Sequence, residues 1–205
     1  MIYSLFPTAV GVYDMQVPDN ITEDYLRSLG ISGHHGLVAN GESSHDTVRG
    51  EEFLLNYTGM EHIKDQIQQC INNYSDEVGL EPLAITGSWF NIMKPEGHVL
   101  PHHHRVSTVS GAFYVSSEPN TCPLFLKNPL DNTKMLDIAA SRNQYTSDTA
   151  QIDSIKGRLI IFPSYIEHYT EINQSEQSRI VISFNTLPIS AINSIKKVDF
   201  NVAPL

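Results

Sequence analysis

Between positions 60 and 74 the apolar residues fall at Met60, Ile63, Ile67, Cys70, Ile71 and Tyr74. Steps of three and four put them on one side of a helix, so the stretch predicts an amphipathic α-helix. Upstream, Thr22 is suited to cap a short helix over 23–29 that Gly30 would end. Residues 1–13, with Ile2, Leu5, Val10 and Val12, read as a strand. The segment 31–50 carries Gly33, His34-His35-Gly36, Asn40-Gly41 and Ser43-Ser44, which is turn chemistry and predicts a loop. After Gly79 the period changes. Segments 85–94, 107–116, 123–127, 155–162 and 178–187 are short, rich in β-branched and aromatic residues, and predict strands. The polar stretch 129–150 predicts a long loop near the functional site. A helical N-terminal third followed by many strands is the pattern of an antiparallel β-sandwich or barrel with helix packed on one sheet. No linker or repeat divides it, so residues 1–205 are expected to form one domain.

Charge narrows the partners. The formal net charge is −10, and no basic run exceeds Lys196-Lys197, which disfavours duplex nucleic acid. The opening MIYSLFPTAVGVYD has no basic lead and is broken by Pro7 and Asp14, so neither a secretory signal nor a membrane span is expected. Two separated cysteines, Cys70 and Cys122, fit ordinary thiols in a reducing cytoplasm rather than a disulfide framework.

Alternation exposes the candidate chemistry. In strand 178–187, Arg179, Val181, Ser183 and Asn185 share one face, while Ile180, Ile182 and Phe184 share the other. The apolar set suits contact with the amphipathic helix; the polar set suits the wall of a wet pocket. The same parity in Pro101-His102-His103-His104 sends His102 and His104 to one side and His103 to the other. A strand beginning elsewhere would bring in His103 instead. The run from Phe162 to His168 supplies a third histidine. Asn173-Gln174-Ser175 suggests a hairpin loop that would set His168 opposite Arg179 on paired strands. Three imidazoles with open positions suit Fe(II), Zn(II), Mn(II) or Ni(II) alike by softness. A guanidinium nearby implies an acid that chelates the metal at one end, and a keto acid has that shape.

These residues resemble the 2-oxoglutarate/Fe(II) oxygenases of the double-stranded β-helix (jelly-roll, cupin-like) fold, particularly a subgroup common in marine bacteria and their phages. The resemblance rests on Leu5-Phe6-Pro7-Thr8-Ala9-Val10, Ser88-Trp89-Phe90-Asn91, His102-x-His104 with Ser110-Gly111-Ala112-Phe113-Tyr114-Val115, Gly157-x-Leu159-Ile160-Ile161-Phe162-Pro163-Ser164-Tyr165, His168, and Arg179-Ile180-Val181-Ile182-Ser183-Phe184-Asn185. It implies that His102, His104 and His168 ligate Fe(II) and that Arg179 binds the distal carboxylate of 2-oxoglutarate. It further implies that the Tyr114 hydroxyl assists this arginine, that Asn91 meets the C1 end of the cosubstrate, and that Ser183 assists from the Arg179 face. The implied reaction uses O2 to decarboxylate 2-oxoglutarate to succinate and hydroxylate a small-molecule or peptide substrate. One departure is notable. The wider superfamily usually has His-x-Asp or His-x-Glu, and here His104 takes the carboxylate's place, leaving the full 2+ charge on the metal.

Plainer readings of the same residues exist. A histidine run is also what a solvated loop carries, Arg179 is also a surface ion-pair partner, Tyr114 a core aromatic and Asn91 a strand-end hydrogen bonder. His34, His35, His45 and His62 read as surface histidines, Trp89 as a core or pocket-wall residue, and Glu167 and Glu171 as candidate partners for His168. Two other functions fit parts of the pattern. One is a cupin-type metal protein acting without 2-oxoglutarate, for which Gly157, Pro163, His168 and Asn173 approach the second cupin signature. The other is a non-catalytic barrel whose histidines hold zinc.

Overall fold

The computed structural model describes residues 2, 4–45, 53–119, 121–131 and 140–195. Helices α1 (Glu23–Ser28), α2 (Glu61–Val78) and α3 (Ile189–Ile195) accompany nine strands among the described residues: β1 (Gly11–Asp14), β2 (Val38–Ser43), β3 (Leu83–Val99), β4 (Val109–Ser116), β5 (Leu124–Lys127), β6 (Thr149–Ile152), β7 (Arg158–Pro163), β8 (His168–Thr170) and β9 (Arg179–Pro188). Six strands make a large sheet in the order β1-β7-β4-β9-β3-β2, and three make a small one in the order β6-β5-β8. Every paired neighbour is antiparallel.

The large sheet is a middle layer, covered on both faces, which is why its central strands alternate between two kinds of interior. On one face Ile63, Ile67 and Ile71 of α2 are fully buried with Phe90, Phe113, Leu159, Ile161, Ile182 and Phe184. On the other, Ala112, Tyr114, Ile160, Phe162 and Val181 meet Leu124 and Leu126 of the small sheet. The parity read in β9 therefore holds. Ile180, Ile182 and Phe184 face the helix, and Arg179, Val181, Ser183 and Asn185 line a cavity between the sheets.

Local chemistry sets the ends of these elements. The Thr22 hydroxyl accepts from the Tyr25 amide at 3.1 Å and starts α1. Helix α2 runs past the expected Tyr74 to Val78, where Gly79 adopts the left-handed conformation (φ 81°) and its amide donates to Ser75 at 2.9 Å. Strand β3 turns sharply near its end. Gly97 has no room for a side chain there, since an added Cβ would lie 2.7 Å from the Asn40 carbonyl oxygen. At this turn Asn173 pins the β8–β9 connection to β3. Its amide donates to the Lys94 carbonyl at 3.2 Å and its backbone N–H to Gly97 at 2.8 Å. On edge strand β2, Glu42 pairs with Arg27 of α1 at 2.9 Å and with Lys94 of β3 at 3.1 Å.

Several expectations change. The segment 31–50 is not all loop, because 38–43 pairs with β3 as strand β2; residues 46–50 lie outside the described residues. The first strand is confined to Gly11–Asp14, and Ile2 and Leu5 are exposed. Of the polar stretch 129–150, residues 132–139 lie outside the described residues, Thr149 already begins β6, and none of its described residues lines the cavity. His168 and Arg179 do not face each other across a hairpin. Strand β8 pairs with β5 in the small sheet and β9 sits between β4 and β3 in the large one, so Asn173 marks a crossing between sheets.

Because α2 is docked on the large sheet through these isoleucines, Ile67→Ala should lower unfolding free energy by about 2–5 kcal/mol, read by chemical denaturation. A change near zero would show that the helix face contributes little.

Candidate metal centre and cavity

Residues 102–104 form an extra edge beside β8. The His168 amide donates to the His102 carbonyl at 2.8 Å, the His102 amide donates back to His168 at 3.1 Å, and the His104 amide donates to Ser164 at 3.0 Å. This pairing holds the strand parity read in the sequence. His102, His104 and His168 each offer a ring nitrogen within 4.8 Å of the others, while His103 is exposed. Ring centroids lie 4.2 Å apart for His102 and His168 and 5.1 Å for each pair involving His104.

Two of the rings are oriented by backbone. Nδ1 of His102 lies 2.8 Å from the Leu100 carbonyl and Nδ1 of His168 lies 3.0 Å from that of Ile166. A carbonyl only accepts, so each Nδ1 carries the proton and leaves the Nε2 lone pair for a metal. Glu167 and Glu171 do not serve this purpose: Glu167 pairs with Lys127 at 3.1 Å and Glu171 is exposed. Burial, reinforced by the neighbouring imidazoles, pushes His104 down to about 2. His168 falls to about 3, again mainly through burial, and His102 is lowered for the same reason. All three rings are therefore neutral at physiological pH, the state a metal requires.

A cavity of about 510 Å³ is lined by the three histidines and by Arg179. The Arg179 side chain is 2% exposed. Nη1 donates to the Cys122 carbonyl at 2.6 Å and lies 3.3 Å from Cys122 Sγ, and Nη2 lies 3.6 Å from Met93 Sδ. Nε has no partner, and no carboxylate pairs with this guanidinium among the described residues. A buried cation left with a carbonyl and two soft sulfurs is short of an anion.

The other expected residues reach the same cavity. Tyr114 is 1% exposed, with its ring centroid 5.6 Å from the Arg179 guanidinium carbon, so its aromatic face is the observed contact. Burial raises its phenol pKa against the opposing pull of Arg179. Asn91 on β3 lines the cavity and its Oδ1 is buried without a partner. Ser183 lines it from β9. These donors and orphaned polar atoms fit a metal at one end and a dicarboxylate reaching Arg179 at the other.

Sequence reasoning passed over four contributors. His35 and His45 line the cavity; their rings meet edge-on, His45 meets Trp89 edge-on, and Trp89 meets His104 at a tilt. Cys122 and Met93 flank Arg179. Met93 shares a strand with Asn91, two residues on, so alternation would have placed it on the same face. Nothing local to Cys122, His35 or His45 marks them; only the folding of distant segments does.

Residues 87–185 match the family model described as "Putative 2OG-Fe(II) oxygenase", so this part of the chain, which carries the three histidines and Arg179, is an oxygenase domain of that family. The protein is a 2-oxoglutarate- and Fe(II)-dependent oxygenase, and its two sheets are the double-stranded β-helix. Similar solved structures include the non-heme alpha-ketoglutarate-dependent epimerase SnoN from nogalamycin biosynthesis, with TM-score 0.61, 9% identity, and coverage of 96% of this chain and 87% of that one. OsALKBH1 aligns with TM-score 0.60 and 12% identity over 89% of this chain and 100% of that one. HygX from Streptomyces hygroscopicus, with nickel, 2-oxoglutarate and hygromycin B bound, gives TM-score 0.54 and 10% identity over 89% and 84%. No curated protein matches the sequence significantly. Among the described residues no helix is long and apolar enough to cross a membrane.

The depressed imidazole pKa values have a direct consequence. With the ordinary histidine value of 6.5, each free ring would be mostly protonated near pH 6 and would release its proton on binding metal. Here binding should release almost none from His104 and His168, read near pH 6 as a calorimetric enthalpy of Ni(II) binding whose dependence on the buffer's ionisation enthalpy corresponds to one proton at most. Release of two or more protons would show that these rings are charged in the metal-free protein.

Proposed function

We propose that His102, His104 and His168 hold the Fe(II), that Arg179 takes the distal carboxylate of 2-oxoglutarate, and that the protein hydroxylates a C–H bond of a small organic molecule or a peptide. Decarboxylation of 2-oxoglutarate to succinate and CO2 would place one oxygen atom of O2 in succinate and the other in the product. The bound iron and keto acid supply the oxidising chemistry; the chain's own residues bind, orient and exclude water.

The observation that carries this reading is the Arg179 guanidinium, buried without a carboxylate partner among the described residues and lining the same cavity as the histidine cluster. A dicarboxylate that chelates at one end and needs a cation at the other satisfies both. The Tyr114 ring lies against the guanidinium, and the Cys122 carbonyl holds Nη1. Asn91 lines the same cavity, and its buried, unpaired Oδ1 supports a role at the chelating end of the cosubstrate. Ser183, beside Arg179 on the same face, adds a hydroxyl to the wall. A cupin-type protein working without 2-oxoglutarate would use the three histidines and leave Arg179 unexplained.

Anaerobic Fe(II) loading followed by 2-oxoglutarate titration tests the assignment through the visible charge-transfer band of the chelate. Arg179→Ala should keep metal and weaken 2-oxoglutarate binding by roughly a hundredfold, as expected when one member of a buried charge pair is removed. His168→Ala should lose both metal and band. A wild-type protein that binds metal but gives no band would favour the cupin-type reading, and a metal-loaded, active His168→Ala protein would remove that residue from the centre.

A further inference from the structure

The cavity is cleared of acids in a strongly acidic protein. The chain has 23 Asp and Glu against 13 Lys and Arg, yet the described residues lining the cavity include no carboxylate, two arginines and six histidines. Arg179 is the buried one. The second arginine, Arg105, directly follows the ligand His104 and is exposed at the mouth.

Arg105 differs from the other surface arginines among the described residues, although Lys64 and Lys156 likewise have no carboxylate partner there. Arg27, Lys94, Lys127, Arg142 and Arg158 each have a carboxylate within 3.4 Å. Arg105 has no such partner among the described residues. It is also held by a strained turn, since Val106 has φ 59°, a left-handed conformation that a β-branched side chain rarely adopts. The turn sets the Arg105 backbone directly after His104, at the rim of the cavity.

Charge balance sharpens the point, and it rests on the reading of the site given above. Three neutral imidazoles leave the 2+ charge of Fe(II) undiminished, where a carboxylate ligand would have cancelled part of it. Iron, Arg179 and Arg105 together carry four positive charges, and 2-oxoglutarate supplies two negative ones. The loaded cavity and its mouth therefore keep a net positive charge, which favours an anion among whatever enters. Beside the histidines the wall includes the Trp89 indole, 4% exposed, its ring 4.7 Å from that of His45 and 5.4 Å from that of His104.

We propose that the organic substrate is a small carboxylate-bearing anion, its acid group held by Arg105 at the mouth and its apolar part lying along Trp89 toward the metal. A planar guanidinium takes a carboxylate through two parallel hydrogen bonds, which orients the rest of the molecule as well as binding it.

The test uses protein loaded with Ni(II) and saturating 2-oxoglutarate, which holds the site without turnover. Phenylacetate and its neutral isostere phenylacetamide are then titrated calorimetrically, with bound 2-oxoglutarate followed in the same samples. The acid should bind about tenfold or more tightly than the amide. Arg105→Gln should abolish the difference, and Arg105→Lys should restore part of it. Equal binding of acid and amide, a preference that survives Arg105→Gln, displacement of 2-oxoglutarate by the acid, or no saturable acid binding in the millimolar range would each overturn the proposal. Failure of 2-oxoglutarate itself to bind would instead strike the assignment of the cosubstrate site, so the two failures are told apart.

Discussion

A guanidinium buried without a counter-ion is the constraint around which this cavity is built. Placing Arg179 between the sheets removes it from water, and isolated charges are not tolerated there without compensation. The fold offers only partial relief: a carbonyl and thiol from Cys122, a thioether from Met93 and the face of Tyr114. Each is a weak or neutral partner. They hold the cation's position without satisfying its charge, which leaves its strongest interaction for a ligand. Strand β9 makes this possible because its alternate residues serve two different interiors. One set locks the strand to α2, so the other set can be polar without loosening the sheet.

The histidines are organised by a different device. They do not share one regular sheet pairing throughout; a short arm, 102–104, lies against β8 through the reciprocal amide–carbonyl pair of His102 and His168. Backbone spacing thus sets two ligands side by side, and backbone carbonyls of Leu100 and Ile166 choose the ring tautomers. Behind the arm, Ser164 accepts the His104 amide through its carbonyl while its hydroxyl lies 2.7 Å from that of Ser110, which in turn donates to Asn185 at 2.7 Å. The centre is therefore tied into both sheets by hydrogen bonds that use no charged side chain.

What was legible in the sequence followed from period. The two-residue alternation of β9 sorted Arg179 from Ile180, and the same rule separated His102 and His104 from His103, because both depend only on strand geometry. The helical stripe of α2 was equally plain, although its end at Val78 depended on Gly79 rather than on the last apolar residue. Pairing between distant strands was not legible. His168 and Arg179 looked like two sides of one hairpin, yet a three-residue strand and a pinned crossing at Asn173 send them to different sheets. Strand β2 was hidden for a local reason, since Asn40-Gly41 looks like a turn but sits at a register shift within a pair of strands. His35 and His45 were hidden because loop histidines carry no periodic signal, and only tertiary folding brings them to Trp89.

Strand β2 also bears on how the molecule behaves toward its own copies. A sheet that ends in an open row of amides and carbonyls invites another chain to continue it. Here the row is interrupted. Gly33 exchanges both hydrogen bonds with Ser43, Asn40 turns left-handed at φ 48°, and Glu42 brings Arg27 and Lys94 to the rim. An incoming strand would meet a blocked position, a kink and a cluster of charges that must be stripped of water. The ion pairs that tether α1 thus also give this border of the large sheet its resistance to self-propagating aggregation.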